Sequence, residues 1–396
     1  MKLPRGHQLA YCTNIHRGES WPETFHALAT HTLAVRDRVC PRAPFAIGLR
    51  LGHQAARDLA RPETLRQFRH WLDANACYVF TINGFPYGQF HQTRVKEDVY
   101  RPDWATPERL AYTNLLFDLL AELLPPGVEG SVSTLPGSFK EFAPAEAATD
   151  AARQAAIRQN LWQAVEHIAR LADRTGQTLH LGLEPEPLCL LETTAETIHF
   201  FEQLRAEHPG DPRLAAHLGV KYDTSPLAVA FEEPAAGLAS LADHGIKLSK
   251  IHLSSALKTR PTPAARAALQ NFTDPVYLHQ TIVRNAAGRR TLYRDLPDAL
   301  ARHPHLAPDD QSGEEWRIHF HVPLHAPAAP PFANTTDHLL GTLDYLAAHP
   351  GRCSHLEMET YTWEVLPPDL KSQSVVDQLA QEYAWTLARL GERGLA

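Results

Sequence analysis

The feature that most constrains the fold of this chain is a regular alternation of short strand-like runs with helical patterns along its whole length. Strands that alternate with helices are typical of parallel sheets with crossover helices, and eight such units can close into a barrel. Eight units can be counted, and one extra run, WRIHFHVPLH at residues 316–325, lies between the seventh and the eighth. We therefore predict an α/β fold, a (β/α)8 TIM barrel formed by residues 1–396 as a single domain, with an insertion at about 258–315 between strands 7 and 8.

Composition and charge argue against several other classes of protein. The net charge of −7 comes without a basic stripe, so we expect no nucleic-acid partner. The five cysteines are scattered and lack a CxxC pair, which predicts reduced thiols and a cytoplasmic location. No run approaches the roughly 20 apolar residues of a membrane span, so none is expected. No glycine-rich phosphate fingerprint follows a strand, which disfavours a nucleotide-binding open sheet.

Polar side chains share one face on most of the predicted strands. In LHLGLEPEP, residues 179–187, three leucines alternate with His180, Gly182 and Glu184. In a barrel the apolar face meets the outer helices, and the polar face points inward toward the mouth where active sites are built. The same alternation occurs in FAIGLRLG, GVKYDTSP, KIHLSSAL, RIHFHV and SHLEMETYTW.

Four of these inward positions predict a metal site. Glu184, Asp223, His252 and Glu359 would crowd three carboxylates and an imidazole together, and a divalent cation removes their mutual repulsion. Three oxygen ligands and one nitrogen suit one ion of Mn, Mg, Co, Zn or Fe. An antiparallel sheet with one wet face would show the same alternation, but the intervening helices argue against it.

The motifs LGLEPEP, KYDTSPLAVAFE, KIHLSSAL and HLEMETYTW resemble, in this order, the metal-binding strands of the xylose isomerase-like TIM-barrel superfamily. That superfamily includes sugar isomerases, ketose epimerases and endonuclease IV. The resemblance implies that Glu184, Asp223, His252 and Glu359 are the metal ligands. The longer stretches YCTNIHRGESW, INGFPYGQFHQTRVKEDVYRPDW, LPGSF and ETYTWEVLP resemble the metabolite traffic protein EboE family, whose members are encoded in bacterial clusters linked to metabolite export.

The endonuclease branch of the superfamily uses more histidines, and this chain departs from its pattern. Pro226 and Leu135 stand where two of those histidines would lie, so a single metal is the better expectation. The pair His319 and His321 does resemble a metal-binding loop of that branch. His321 is accordingly a fifth ligand or a substrate contact.

The resemblance implies an isomerase or epimerase that acts on a sugar or cyclitol, phosphorylated or not, in a metabolite-export pathway. Glu184 and Glu359 would then move a carbon-bound proton through an enediolate. A metal-dependent phosphoester hydrolase and a non-catalytic metabolite-binding barrel are the alternatives. Other proteins of the same export cluster are the expected partners besides the small polar metabolite.

Further inward or rim residues are candidates for substrate binding. Glu186 is either a hydrogen-bond partner of the substrate or a solvated loop acid, and Glu357 is expected to pair with Arg50 or Lys221. The loop around Tyr87 and the insertion are expected to cover the barrel mouth. The full set of substrate-binding candidates is Glu186, Asn83, Tyr87, His16, Arg50, His319 and Lys221.

Overall fold

The computed structural model describes residues 1–91, 94–302, 313–327, 329–372 and 374–396. Its strands, in chain order, are β1 (Gln8–Tyr11), β2 (Phe45–Arg50), β3 (Cys77–Asn83), β4 (Gly130–Thr134), β5 (Leu179–Leu183), β6 (Leu218–Asp223), β7 (Lys247–Leu253), β8 (Ala256–Thr259), β9 (Thr281–Arg284), β10 (Arg290–Tyr293), β11 (Glu315–His321), β12 (Phe332–Asn334) and β13 (His355–Met358).

Helices cover the outside of the barrel and also lie in the connections between its strands. The α-helices of the described residues are α1 (Trp21–Ala27), α2 (Leu33–Val39), α3 (His53–Leu59), α4 (Pro62–Ala74), α5 (Pro107–Leu123), α6 (Ala147–Thr175), α7 (Thr194–Glu207), α8 (Pro212–His217), α9 (Thr224–Val229), α10 (Pro234–Asp243), α11 (Pro263–Leu269), α12 (Leu296–Arg302), α13 (Thr336–Ala348) and α14 (Val375–Gly391). A π-helical turn, Leu28–Thr32, joins α1 to α2. Short 3-10 helices occupy Thr13–Ile15, Lys96–Tyr100, Lys140–Phe142, Gln270–Phe272, Tyr361–Val365 and Pro368–Leu370. Among the residues that the structure describes, no helix is both long enough and apolar enough to cross a bilayer.

Eight parallel strands form the barrel, which confirms the predicted fold class. Their order around the barrel is β1, β13, β7, β6, β5, β4, β3 and β2. A single bridge between Cys12 and Gly48 joins the two ends of this sheet and closes the circle. The outward leucines of β5, Leu179, Leu181 and Leu183, are fully buried against the helical layer, as the strand period predicts.

The chain between β7 and β13 forms a second sheet that the sequence pattern does not reveal. β8 to β12 make an antiparallel sheet in the order β10, β9, β11, β8 and β12. The inserted sheet therefore begins at Ala256 and ends at Asn334, a wider span than the predicted 258–315. Residues 303–312 and 328 lie outside the described ranges. The run KIHLSSAL, predicted as one strand, is split between two strands. β7 ends at Leu253 in the barrel, and β8 begins at Ala256 in the second sheet. A separate apolar core that includes Trp316, Ile318 and Phe320 supports this sheet.

The inserted segment rests on the loop that follows β3. The main-chain amides of Val95 and Lys96 both donate to the carbonyl of Val276 at 2.9 Å. The ammonium of Lys96 also bonds the carboxylate of Asp295 at 2.6 Å. Both segments line one cavity together with the ends of the barrel strands, so they cover the mouth of the barrel.

Candidate functional site

The ends of four barrel strands bring together the predicted metal ligands. Glu184 follows β5, Asp223 ends β6, His252 lies near the end of β7 and Glu359 follows β13. Their side chains are at most 5% exposed, and one ligand atom from each lies within 4.8 Å of the others. The four groups therefore converge closely enough to be drawn onto one ion.

Two carboxylates in this cluster, Asp223 and Glu359, have one oxygen fixed by the protein and the other turned toward His252. Asp223 Oδ1 accepts from the Ser225 amide at 3.1 Å and from the Ser254 hydroxyl, while Oδ2 faces the cluster. Glu359 Oε1 accepts from the side-chain amide of Asn14 at 2.7 Å. Glu184 Oε2 is buried without a hydrogen-bond partner. Fixed outer oxygens and free inner oxygens are what a preorganised metal site requires.

The imidazole of His252 is oriented by a buried carboxylate. Its Nε2 contacts Glu357 Oε2, and Nδ1 lies 3.0 Å from Glu359 Oε2 and 3.7 Å from Asp223 Oδ2 without a well-aligned hydrogen bond. When Nε2 carries the proton, Nδ1 presents a lone pair to two carboxylates. A second ring proton or a cation must then satisfy Nδ1, so this arrangement fits a metal.

Lys221 lies within the carboxylate cluster. Its Nζ is 2.5 Å from Glu184 Oε1 and 3.8 Å from a carboxylate oxygen of both Asp223 and Glu359. With all three acids ionised and His252 neutral, one ammonium leaves two negative charges. A divalent ion would balance that charge, so Lys221 and a metal can occupy the same site together.

Burial and charge separate the proton affinities of the two proposed catalytic acids. Burial raises the pKa of Glu184 well above its ordinary value, and Lys221 only partly offsets the effect. Burial also acts to raise the pKa of Glu359, but Lys221 and His252 outweigh it and hold this pKa well below its ordinary value. The two carboxyl groups thus differ in protonation although they border the same cavity.

A chain of hydrogen bonds holds Glu186 on the wall of the cavity. The Tyr100 hydroxyl donates to Glu186 at 2.7 Å, and the Gln280 amide donates to that hydroxyl at 2.8 Å. The Gln280 carbonyl in turn lies 3.1 Å from His319 Nδ1. Burial raises the pKa of Glu186 to about 8. Glu186 is therefore a buried, organised group, whereas the sequence left open a solvated loop acid.

Two residues of this site, Tyr100 and Gln280, are missed by sequence reasoning. Tyr100 belongs to the loop after β3, and Gln280 precedes β9 in the inserted sheet. Neither stands in a strand-end pattern that would single it out. Their contacts with Glu186 and His319 depend on how the insertion docks on the barrel.

His321 and Asn83 both reach the Glu359 segment. His321 Nδ1 lies 3.0 Å from the main-chain oxygen of Glu359, and its Nε2 is buried without a partner. The Asn83 amide lies 3.3 Å from Glu359 Oε1, so this residue positions the carboxylate as well as lining the cavity. Asn14 makes the shorter bond to the same oxygen and is a further residue that the sequence did not indicate.

Three predicted substrate-binding residues are not brought to this cavity. The guanidinium of Arg50 is occupied by the carbonyls of Gly18 and Gly88 and by Glu19. Tyr87 stacks on a neighbouring histidine of α3, and His16 lines a separate cavity near the start of α1. All three are excluded from the proposed site, because their side chains contact residues away from this cavity.

The prediction that Glu357 pairs with Arg50 or Lys221 is wrong. Its carboxylate bonds Lys250 Nζ at 2.6 Å as well as His252, and neither Arg50 nor Lys221 is its partner. Burial acts to raise the pKa of Glu357, but Lys250 and His252 outweigh it and bring the value to about 2. Glu357 is therefore an ionised group that supports His252 from the layer below the mouth.

Comparisons with known proteins give similarity at the level of structure. No family model matches the chain, and no curated protein matches it. A xylose isomerase-like TIM barrel protein from Mycobacterium smegmatis in complex with magnesium is 13% identical, with 100% of each chain covered and a TM-score of 0.53. A proposed sugar phosphate isomerase/epimerase from Anabaena variabilis is 12% identical over 98% of this chain and 99% of that chain, with a TM-score of 0.52.

A third solved structure, a D-tagatose 3-epimerase-like protein, is 11% identical over 98% of both chains, with a TM-score of 0.50. At such low identities the likeness shows the fold and carries no statement about substrate. Together with the eight-stranded parallel barrel, these similarities show that the chain has the xylose isomerase-like TIM-barrel fold.

Proposed function

We propose that this protein is a divalent-metal-dependent isomerase or epimerase of a sugar or cyclitol, phosphorylated or not. The observation that carries the proposal is the cluster at the barrel mouth, where Glu184, Asp223 and Glu359 each bring one oxygen within 4.8 Å of a ring nitrogen of His252. The similarity to a sugar phosphate isomerase/epimerase and to an epimerase-like protein supports the same reaction class.

Glu184, Asp223, His252 and Glu359 would hold one ion. His321 is not one of these four converging residues, and a movement of its side chain would bring the buried Nε2 to the ion as a fifth ligand. A bound divalent ion supplies a Lewis acid that polarises a carbonyl group and makes the neighbouring carbon-bound proton easier to remove. The set of three oxygens and one nitrogen is compatible with Mn, Mg, Co, Zn or Fe. The magnesium complex of the Mycobacterium protein supports a hard cation as one choice.

The proton transfers fall to Glu184 and Glu359. They approach the cavity from β5 and β13, which lie three positions apart around the barrel. One carboxylate removes the proton next to the carbonyl, and the enediolate of the substrate takes a proton back from the same or the other carboxyl group. Lys221, 2.5 Å from Glu184, compensates negative charge that develops beside it.

The wall formed by Glu186, Tyr100, Gln280 and His319 would recognise the substrate. These side chains combine hydrogen-bond donors and acceptors that already have fixed directions. A polyol presents a row of hydroxyl groups that can donate and accept, so it fits such a wall better than an apolar ligand does. Asn83 and Lys221 border the same space and complete the proposed polar contacts.

A phosphoester hydrolase is the less favoured alternative. Such enzymes commonly place two ions about 3.5–4 Å apart. Within the described ranges, the mouth offers one group of ligands, and buried Pro226 and Leu135 stand where the endonuclease branch has histidines. A non-catalytic barrel would not need two carboxyl groups with opposite pKa shifts across one cavity.

The role in metabolism remains part of the proposal. The stretches that resemble the EboE family motivate membership in that family and a place in a metabolite-export pathway, with other proteins of the same cluster as partners. Co-purification of the tagged full-length chain with proteins encoded beside it would test this role separately from the chemistry.

The reaction can be tested without knowing the natural substrate. Metal-loaded protein is incubated in deuterated water with a panel of ketoses, cyclitol ketones and their phosphates, and deuterium at the carbon next to the carbonyl is measured by NMR. We expect enzyme-dependent incorporation for at least one compound. Glu184→Gln and Glu359→Gln should each reduce its rate by about 100-fold or more, because general acid–base groups contribute about 10²–10⁴-fold.

Glu192→Gln is the matched control, since Glu192 lies beyond the same strand as Glu184 but bonds Lys140. Its exchange rate should equal that of the unmodified protein. Absence of exchange across the panel would favour the metabolite-binding barrel. Exchange that survives both Glu184→Gln and Glu359→Gln would reject these two residues as the proton-transfer groups.

A further inference from the structure

Two histidines are buried inside the barrel at the end opposite the mouth. His180 belongs to β5 and His355 begins β13, and each is 1% exposed. They lie on the same inward faces as Glu184 and Glu359, four residues earlier along each strand. Their ring centres are 5.4 Å apart. The pair is therefore separate from the cluster at the mouth, although the same two strands carry both.

Each of these imidazoles is fixed through one nitrogen. His180 Nδ1 lies 2.7 Å from the Ser249 hydroxyl, and His355 Nδ1 lies 2.8 Å from the Ser131 hydroxyl. In both rings Nε2 is buried and makes no hydrogen bond. If Nδ1 donates to the serine oxygen, Nε2 carries a lone pair and is ready to bind a cation. Two such atoms in one place are unusual for buried polar groups.

A carboxylate completes this group. Glu129 directly precedes β4, and its Oε2 lies 3.5 Å from His180 Nε2 and 3.2 Å from the Ser354 hydroxyl. One ligand atom each from Glu129, His180 and His355 lies within 4.8 Å of the others. The side chain of Glu129 is 46% exposed, so the group opens to solvent on the carboxylate side.

We propose that Glu129, His180 and His355 form a second divalent-metal site, of the zinc class, at the N-terminal end of the barrel. Two imidazoles and one carboxylate are a ligand set that zinc favours, with a fourth position open to water. Ligand atoms on one tetrahedral ion lie about 3.3 Å apart, so small side-chain movements bring this group to that spacing. The proposal does not depend on the reaction assigned to the mouth.

The electrostatic surroundings favour the required protonation states. Burial lowers the pKa of both histidines, which keeps the rings neutral and their lone pairs available. Glu129 supplies the carboxylate of the group, with Oε2 3.5 Å from His180 Nε2. Lys247 also interacts with Glu129 and opposes a cation, so we expect weaker binding here than in a four-ligand site.

The ion would connect three barrel strands. β4 and β5 are neighbours, but β13 is separated from β5 by β6 and β7 around the circle. A bond from Glu129 and His180 to His355 therefore crosses the barrel interior. Because the ion binds the folded chain and not the unfolded one, it should raise the melting temperature.

The test uses the full-length protein stripped of metal and titrated with Zn²⁺ by calorimetry. Asp223→Asn weakens the site at the mouth and isolates the second site. We expect the unmodified protein to bind two ions and Asp223→Asn to retain one, the ion of the second site. Adding Glu129→Ala should weaken that remaining ion by about tenfold or more and remove the Zn²⁺-dependent rise in melting temperature. Because Glu129 is half exposed, this variant should still fold.

Glu122→Ala is the matched control, since Glu122 is an exposed acid paired with Arg69. In the Asp223→Asn background it should leave zinc affinity unchanged. His355→Gln provides a second variant that should lose the same ion. Zinc binding unaltered by both Glu129→Ala and His355→Gln overturns the second site. One ion in the unmodified protein that disappears in Asp223→Asn also overturns it, and leaves the metal at the mouth standing.

Discussion

His321 is bonded through Nδ1 to the main-chain oxygen of Glu359, 3.0 Å away, and its Nε2 is left buried and unpartnered beside the metal-ligand cluster. The inserted sheet, which carries His321 on β11, thus places an imidazole in the cavity that the ends of the barrel strands line. Burial lowers the pKa of His321, so its free nitrogen is available without competition from a proton.

His321→Gln is therefore expected to weaken metal binding at the mouth by about tenfold, because a metal-site contact commonly changes affinity by 10–100-fold. The affinity can be measured by Mn²⁺ titration of the stripped protein. His325→Gln is the control, since His325 does not line this cavity. Equal affinities for His321→Gln and the unmodified protein would restrict His321 to a role in substrate binding.

Lys221→Met tests the charge balance of the cluster. Without the ammonium, the ionised carboxylates of the cluster lose their nearest positive charge, so the metal-free protein should lose about 3–5 kcal/mol of stability. Saturating Mn²⁺ should raise the melting temperature of this variant more than that of the unmodified protein. Thermal melts with chelator and with Mn²⁺ measure both effects. An equal metal-induced rise in melting temperature in the two proteins would show that Lys221 and the ion do not balance the same negative charge.

Glu382 on α14 predicts a pH dependence of stability. It is fully buried, and burial raises its pKa from about 4.5 to about 7, although bonds from Thr360 and the Leu324 amide partly offset this. The folded state therefore holds the proton more tightly than the unfolded state. The stabilisation is complete below about pH 4.5 and is lost as pH rises to about 7, a total of about 3 kcal/mol.

Glu382→Gln has no carboxyl group to titrate, so its free energy of unfolding should not fall in this pH range. The difference in free energy of unfolding between Glu382→Gln and the unmodified protein should therefore grow in favour of the variant between pH 5 and pH 7.5. Urea unfolding at several pH values measures the difference. Glu392→Gln, at the exposed end of the same helix, should leave the shape of the pH profile unchanged. Parallel profiles for Glu382→Gln and the unmodified protein would show that Glu382 is not held protonated.

Gly48→Ala should destabilise the barrel by about 3 kcal/mol, as overpacking of a core does. A Cβ at this position would lie 1.9 Å from Glu357 Oε1 and 2.7 Å from the carbonyl oxygen of Tyr11. The main chain cannot retreat without disturbing the bridge to Cys12. Gly88→Ala is the control, because nothing lies within 4 Å of its added carbon. Urea unfolding with equal midpoints for the two variants would refute this prediction.

The alternation of strands and helices was sufficient to predict the barrel, and the period of two was sufficient to put Glu184 and Glu359 on inward faces. The height of each side chain inside the barrel could not be predicted in this way. Lys221 and Lys250 both point inward on neighbouring strands, yet one bonds Glu184 and the other bonds Glu357. A register shift between Val220 and Lys221 makes Lys221 and Lys250 direct partners, and it has no signature in the alternation of residues.

The inserted sheet escaped prediction for a related reason. Its strands β9 and β10 have four residues each, too few to show a clear period, and β9 also pairs with β11, which follows only after α12. The contact of Tyr100 with Gln280 depends on that docking, whereas the bonds of Arg50 to Gly18 and Gly88 depend on the loops that follow β1 and β3. Side chains on strand ends could be assigned from the sequence, whereas those placed by long-range packing could not.

The single bridge between β1 and β2 gives the barrel a seam. Every other pair of adjacent strands shares a register of three or more residues, whereas this pair meets only at Cys12 and Gly48. Arg50 supplements the seam with side-chain bonds to the carbonyls of Gly18 and Gly88. Separation of strands there breaks the fewest main-chain hydrogen bonds, so partial opening of the fold should start at the first strand and expose Glu357 to water before the outer helices come apart.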